Sequence, residues 1–418
     1  MKYGCIGEHL THSFSKEIHS HIADYDYDIC ELTPDEVDSF MKRREFLAIN
    51  VTIPYKEKVI PYLSYVDESA RLIGAVNTIV NREGELFGYN TDFYGMKTLI
   101  ERTGVSVNDK KVLILGSGGT AKTAFAVTTS MGAREIIKVS RKESNDTVLY
   151  TDVYKYHTDA DVIINTTPVG MYPNNFNKPI DISKFSKLSG VIDAIYNPQK
   201  TPLILEAEAR GIKASGGLYM LVMQGIRASE YFLDTTYPDS LSEEVYGKIA
   251  SEKKNIVLIG MPSSGKTTVG GIIAERLSRE LIDTDKLIVT KENRSIGDIF
   301  AADGEAAFRD FESEAVRTAA IRSACVIATG GGAVLRGENV EALRQNGRIY
   351  FLDRPLSMLT PTSDRPTAST DCAIKKRYEE RYSVYCSTAD KIIDSSCDPC
   401  RVADEIIADF YESLGLGE

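Results

Sequence analysis

No stretch of the sequence approaches the roughly 20 consecutive apolar residues of a membrane span, and the opening stretch MKYGCIGEHLTHSFSKEIHS holds no apolar, leader-like run. Positive charge is short too: 49 Lys and Arg stand against 60 Asp and Glu, a formal net charge of −11. That balance argues against nucleic acid or an acidic membrane as partner, because both attract a basic face. It leaves room for a local cationic pocket that holds a small anion. The seven cysteines are an odd number in a long chain, which argues against a disulfide framework and fits a reducing, cytoplasmic setting. Cys397 and Cys400, in CDPC, have the spacing of a redox motif or half a zinc site. No second pair has that spacing, so neither role is assigned. His9, His12, His19 and His21 crowd the N-terminal region without an acidic cluster beside them. They read as structural rather than metal-ligating. Internal repeats and low-complexity tracts are absent.

What is present is an ordinary globular composition, 43% hydrophobic and 26% charged over 418 residues, enough for two or three folding units. From residue 105 onward, strand-like runs (KVLILG, EIIKVS, DVIINTTP, SGVIDAIY) alternate with helical patterns. A second series runs NIVLIG, LIDTD, CVIATGGG and GRIYFLD. Such alternation predicts parallel sheets covered by helices on both faces, the α/β class. Between the series lie a helical stretch near 218–234 and the polar piece TTYPDSLSEEVYGKIASEKKN, which reads as a domain joint. The first 100 or so residues mix strands and helices without a phosphate loop and read as a substrate lobe.

The second series opens on GMPSSGKTT, between the strand NIVLI and a helix. A glycine, four residues and Gly-Lys-Thr in that context make a phosphate-binding loop for a nucleoside triphosphate such as ATP. Backbone N–H groups from Ser263 through Ser264, Gly265, Lys266, Thr267 and Thr268 are expected to face phosphate oxygens, aided by the helix N-terminus. Lys266 would reach the β- and γ-phosphates and the Thr267 hydroxyl would sit on Mg²⁺. In LIDTD, period-2 alternation places Asp283 and Asp285 on one side of a strand end. One carboxylate could support the metal and the other hold or deprotonate an acceptor hydroxyl. Further on come Arg309 and Glu312 in GEAAFRDFE, Gly330, Gly331 and Gly332 in TGGG, and Arg381 in ERYSVY. Arg309 and Arg381 suit bidentate capture of a carboxylate, though either alone would more often be a surface ion pair.

In the first series, KVLILGSGGTAKTA is a strand, a glycine turn and a helix, with Gly116, Gly118 and Ala121 at the dinucleotide-binding spacing. Ser117, Gly119 and Thr120 complete that turn. The next strand ends in VSRK. Ser140, Arg141 and Lys142 offer a hydroxyl and positive charge where an NAD site carries an acid, which suits the 2′-phosphate of NADP. A hydride delivered to a ketone needs a proton donor for the forming alkoxide. Lys56 in NVTIPYKE and Asp92 in GYNTDFYG form the candidate acid–base pair, although an isolated lysine is usually a surface ammonium.

Taken in order, HSFS, NVTIPYK, GAVNT, GYNTD, NTTPVGM, YNPQKTPL and GLYMLVMQ resemble the shikimate dehydrogenases over about residues 1–250. The kinase pieces resemble shikimate kinase over about 254–418. The first resemblance implies that Ser13 and Ser15 hold the substrate carboxylate and that Thr52, Asn77, Asp92 and Gln224 bind its hydroxyls. It also makes Lys56 catalytic, puts Tyr196 at the pocket wall and sets Gly217 against the nicotinamide. The second implies that Asp285, Arg309, Gly331 and Arg381 bind shikimate, that Asp283 supports the metal and that Arg365 closes over ATP. The sequence departs from the families in places. His9 and Lys16 stand where proline is common, Ser263 replaces a loop glycine, and the segment before Arg365 is short, with RPTA for the usual RPLL. Ser15 in place of a bulkier threonine suits shikimate over quinate.

The resemblance therefore implies a bifunctional fusion. A shikimate dehydrogenase-like substrate lobe (1–104 and 218–250) and a Rossmann NADP-binding unit (105–217) precede a P-loop kinase domain of nucleoside-monophosphate-kinase type (253–418). Its substrates would be the small molecules 3-dehydroshikimate and shikimate, its cofactors NADP(H), ATP and Mg²⁺. Two other readings remain: a quinate-type dehydrogenase joined to another small-molecule kinase, and a nucleotide-binding protein without catalysis. Monomer and homodimer are equally compatible with the sequence.

Overall fold

The computed structural model describes residues 1–8, 10, 14–142, 144–360 and 370–416. The chain divides into two compact units, Met1–Ile249 and Ala250–Glu418.

The first unit contains two sheets. One is mixed, in the strand order Tyr27–Glu31, Tyr3–Gly7, Ala48–Val51, Thr78–Arg82, Glu85–Tyr89, Tyr65–Val66. The other is wholly parallel, in the order Lys213–Ser215, Gly190–Asp193, Val162–Asn165, Lys111–Leu115, Glu135–Ser140, Val148–Leu149. Lys111–Leu115 shows why a continuous apolar run becomes a central parallel strand. Val112, Leu113, Ile114 and Leu115 are all fully buried, since helices cover both faces. The chain leaves this strand for neighbours on either side, and at such a switch point the carboxyl ends of the strands open a crevice.

The second unit has one five-stranded parallel sheet in the order Glu280–Asp283, Cys325–Ala328, Asn255–Ile259, Gly347–Asp353, Lys391–Asp394. Asn255–Ile259 is central and buried along its length. The phosphate-loop sequence follows its carboxyl end. The helical segment Ile296–Ala320 breaks at Gly304, whose φ of +81° is a left-handed conformation that glycine adopts without steric cost. The break gives the portion carrying Arg309 and Glu312 its own direction.

One sequence expectation gains detail and one is corrected. The polar piece read as a domain joint contains the division between the units, and it is largely a helix, Ser240–Lys253. Its apolar residues were few but placed on one stripe, and Val245, Ile249 and Ala250 are buried. Asp285 does not lie on a strand. The strand ends at Asp283, which caps the helix Thr284–Glu292, its carboxylate accepting from the N–H groups of Asp285 (3.0 Å) and Lys286 (3.2 Å). The helix Leu218–Leu233 matches the helical stretch read near 218–234.

Candidate active sites

In the first unit a cavity of about 440 Å³ is lined by Ser15, Thr52, Lys56, Asn77, Asp92, Tyr196, Gly217 and Gln224, together with Thr120 of the glycine turn. These residues come from well-separated stretches of sequence, and the fold brings them to one place. Lys56 Nζ lies 2.6 Å from Asp92 Oδ2, with side chains 26% and 12% exposed. Asp92 is in the first turn of the helix Thr91–Thr103, where the helix dipole favours a carboxylate. The cap residue Asn90 accepts from the Asp92 N–H at 3.0 Å. Lys56 is held through its backbone, its carbonyl accepting from Val76 N–H at 2.8 Å. A partly buried ammonium oriented by a carboxylate can hand a proton to an oxygen in the cavity.

Asn77 is buried, and its Oδ1 accepts from Thr91 N–H at 2.8 Å, tying one wall of the cavity to the helix that carries Asp92. Cys5 and Asn50, which escaped sequence reasoning, also line the cavity, as does His19, which the sequence marks only as structural. Asn50 accepts from Tyr27 OH at 2.7 Å and donates to Thr78 Oγ1 at 3.1 Å. The signal for Asn50 was present, because strand alternation puts it on the same face as Thr52. His19 stacks on Tyr27 with ring centroids 4.0 Å apart, and burial pushes its pKa down to about 3. Nothing in the local sequence marks it as buried.

At the dinucleotide turn, Gly118 caps the helix Gly119–Ser130 and Ala121 is buried against it. A methyl group built on Gly118 or Gly119 would meet nothing within 4 Å in the protein itself. Their bareness is not required by the protein's own packing; it leaves an open face for a pyrophosphate to approach the backbone. Gly116 has a φ of +115°, and Ser117 lies between it and Gly118. Ser140 ends the adjacent parallel strand, its Oγ accepting from Lys142 N–H at 3.2 Å, while Arg141 and Lys142 are exposed. The residues present therefore fit NADP, because the strand next to the one that enters the glycine turn ends in a hydroxyl and two exposed cations.

In the second unit, Gly265 caps the helix Lys266–Arg276 with a φ of +94°. Lys266, only 7% exposed, donates to the carbonyls of Gly260 (2.9 Å) and Met261 (2.8 Å), so the ammonium lies folded across its own loop. Thr267 and Thr268 occupy the exposed first turn, whose N–H groups have no intrahelical acceptor. In the loop itself, Ser264 N–H bonds the Met261 carbonyl at 3.2 Å. Thr267 Oγ1 donates to Asp283 Oδ2 at 2.9 Å. An oxygen-only pair beside a phosphate loop fits Mg²⁺, a hard cation usually held by one or two carboxylates and by phosphates. Arg354 also stands near this loop and was not among the candidates read from the sequence. Its Nη1 stands 4.0 Å from a Cβ built on Gly265 and donates to the Ser395 carbonyl at 3.3 Å.

Beside this loop a narrow cleft of about 30 Å³ is lined by Asp285, Arg309, Glu312, Gly331 and Arg381 among others. Arg309 Nη1 bonds Glu312 Oε2 at 2.6 Å and Nη2 bonds Glu305 Oε1 at 3.0 Å. Arg381 Nη1 donates to the Gly331 carbonyl at 3.0 Å, and Tyr385 OH donates to the same oxygen. Glu312 is 1% exposed; burial raises its carboxyl pKa, with Arg309 opposing.

Ser13, Arg365, His9 and His12 lie outside the described residues. Cys397 and Cys400 are exposed free thiols, and no group of three or more His, Cys, Asp or Glu among the described residues is arranged to hold a metal. No helix among those residues is long and apolar enough to cross a membrane.

Family models match at two places: the shikimate dehydrogenase substrate binding domain over residues 5–79 and shikimate kinase over residues 262–411. The NADP(+) shikimate dehydrogenase of Clostridium beijerinckii is 33% identical over 267 residues, covering 60% of this chain and 99% of that protein. The chain belongs to the shikimate dehydrogenase family. Its second unit carries a shikimate kinase domain, which makes the whole a bifunctional oxidoreductase and kinase of the shikimate pathway. Among solved shikimate dehydrogenases, that of Peptoclostridium difficile has a TM-score of 0.54 at 33% identity, covering 60% of this chain and 98% of its own. The Thermus thermophilus enzyme, solved with NADP(H) and shikimate, has a TM-score of 0.53 at 26% identity, covering 59% and 99%.

Proposed function

We propose that the first unit reduces 3-dehydroshikimate to shikimate and that the second phosphorylates shikimate on its 3-hydroxyl. The observation that carries the first half is the 2.6 Å Lys56–Asp92 pair inside a cavity lined by the substrate residues the family resemblance names. The second half rests on the phosphate loop beside a cleft containing Asp285, Arg309 and Arg381.

NADPH supplies the hydride, ATP the phosphoryl group, and Mg²⁺ neutralises charge on the phosphates. The chain's own residues do the rest. Ser13 and Ser15 hold the substrate carboxylate, and Thr52, Asn77 and Gln224 fix the ring hydroxyls. Lys56 delivers a proton to the carbonyl oxygen as hydride arrives, with Asp92 orienting its ammonium. Tyr196 and Gly217 close the wall at the nicotinamide, and Ser140, Arg141 and Lys142 select the 2′-phosphate. In the kinase, Arg309, Arg381 and Gly331 orient shikimate while Asp285 accepts the proton of its attacking hydroxyl. Lys266 would bind the phosphates and Thr267 and Asp283 would hold the metal, with Arg365 assigned to the nucleotide by the family resemblance. The corresponding domain limits are 1–104 with 218–250, 105–217, and 253–418. The setting is the cytoplasm, with no nucleic-acid or membrane partner.

Incubation of the purified chain with 3-dehydroshikimate, NADPH and MgATP, followed by mass analysis, tests both halves. Shikimate 3-phosphate is the expected product. Accumulation of shikimate alone would overturn the kinase assignment, and unreacted 3-dehydroshikimate the dehydrogenase assignment.

A further inference from the structure

The left-handed positions of the phosphate loop are Gly260 (φ +145°), Ser263 (φ +65°) and Gly265 (φ +94°). Only one of them has a side chain. In that region a Cβ crowds the backbone, which is why glycine is favoured there. A serine held in such a conformation is held by its surroundings.

Here the holding contact is visible. Ser263 Oγ donates to the Thr360 carbonyl at 2.9 Å, a bond across 97 residues of sequence. Thr360 lies on the arm that follows the strand Gly347–Asp353. The arm is itself anchored, since Leu356–Met358 form a tight turn and Leu359 is buried in the core of the unit. A hydrogen bond to a fixed carbonyl therefore fixes the loop as well.

We infer that Ser263 is a positioning residue of the phosphate loop: its hydroxyl latches the loop to the Leu356–Thr360 arm and pre-sets the backbone donors for the nucleotide's phosphates. A glycine at this position would relax the backbone but leave the loop unlatched. The two contributions are thus separable. Backbone strain affects the stability of the unit, because the strained conformation is present with or without ligand. The latch affects nucleotide affinity, because an unlatched loop must be ordered on binding. The inference rests on reading the loop as the ATP site.

The test is calorimetric titration of the full chain with MgADP, in wild type, Ser263→Ala and Ser263→Gly, with thermal unfolding of each. The unfolding transition of the second unit in the same samples counts the folded kinase domains. Both variants are expected to bind MgADP roughly five- to tenfold more weakly, the equivalent of one net hydrogen bond. Ser263→Gly, which also relieves the left-handed backbone, should unfold roughly 2–4 °C above Ser263→Ala, which loses the latch and keeps the strain. A purely structural role would make affinity follow stability, so that the two variants differed in both. Unchanged affinity in Ser263→Ala, or tighter binding in Ser263→Gly, would overturn the latch while leaving the ATP site in place. A wild-type chain that does not bind MgADP would overturn both.

Discussion

Asp283 and Asp285 are separated by one residue, yet their carboxylates serve different places. Asp283 Oδ2 accepts the Thr267 hydroxyl at 2.9 Å, on the phosphate-loop side. Asp285 faces Gly330 in the acceptor cleft, its Oδ1 2.5 Å from a Cβ built on that glycine. The turn from strand to helix at Asp283 separates them. Asp283→Asn should therefore raise the Mg²⁺ concentration needed for half-maximal phosphorylation while leaving the KM for shikimate within about twofold. Asp285→Asn should lower kcat by about 10²–10⁴-fold, the range for loss of a general base. Magnesium and shikimate titrations of the two variants check this; identical phenotypes would mean the carboxylates act as one unit.

Lys56→Ala should reduce 3-dehydroshikimate turnover by about 10²–10⁴-fold and leave shikimate phosphorylation unaffected. NADPH absorbance and a coupled ADP assay on one preparation measure the two. Loss of both activities in a folded chain would contradict separate sites.

His19 predicts a pH dependence of stability. Unfolded, its imidazole titrates near 6.5; folded, burial brings it down to about 3. Between those values the unfolded chain binds a proton that the folded chain refuses. The contribution is therefore complete above about pH 6.5 and is lost as pH falls, by about 1.4 kcal/mol per pH unit at most. His19→Phe, which keeps an aromatic ring against Tyr27 and Phe232, should remove that slope from denaturant unfolding of the first unit. A slope unchanged in the variant would assign it to other groups.

Arg102 packs over the rings of Tyr219 (4.5 Å) and Tyr246 (4.4 Å) and makes paired bonds to Glu243 at 2.8 and 2.9 Å. Arg102→Ala should cost the first unit about 1–2 kcal/mol, a modest figure because the pair is partly exposed. Arg102→Lys should recover only part of it, since an ammonium lacks the planar fork. Denaturant midpoints followed by dehydrogenase activity read the loss.

How much of this was legible in the sequence depends on how local the cause was. The phosphate loop and the dinucleotide turn follow from contiguous residues, so Lys266, Thr267 and Gly116 to Ala121 could be assigned before any coordinates. The parallel sheets were legible because runs such as Val112–Leu115 are apolar on both faces. Asp285 was misplaced because period-2 alternation was carried one residue past Asp283, whose side chain caps a helix instead. The helix within the joint, Ser240–Lys253, went unread because Val245, Ile249 and Ala250 are few among charged neighbours. His19 and Asn50 were not assigned to the pocket because their place there depends on distant Tyr27 and Thr78.

The ion pair in the cleft beside the phosphate loop bears on what affinity means for this kinase. Arg309 is already engaged by Glu312 at 2.6 Å. On the proposed assignment, an arriving shikimate carboxylate does not fill a vacant seat; it displaces a resident one. The measured dissociation constant is then the difference between two ion pairs, one given up and one gained. An acceptor analogue with its acid esterified has nothing to offer in that trade, however well its ring hydroxyls are matched.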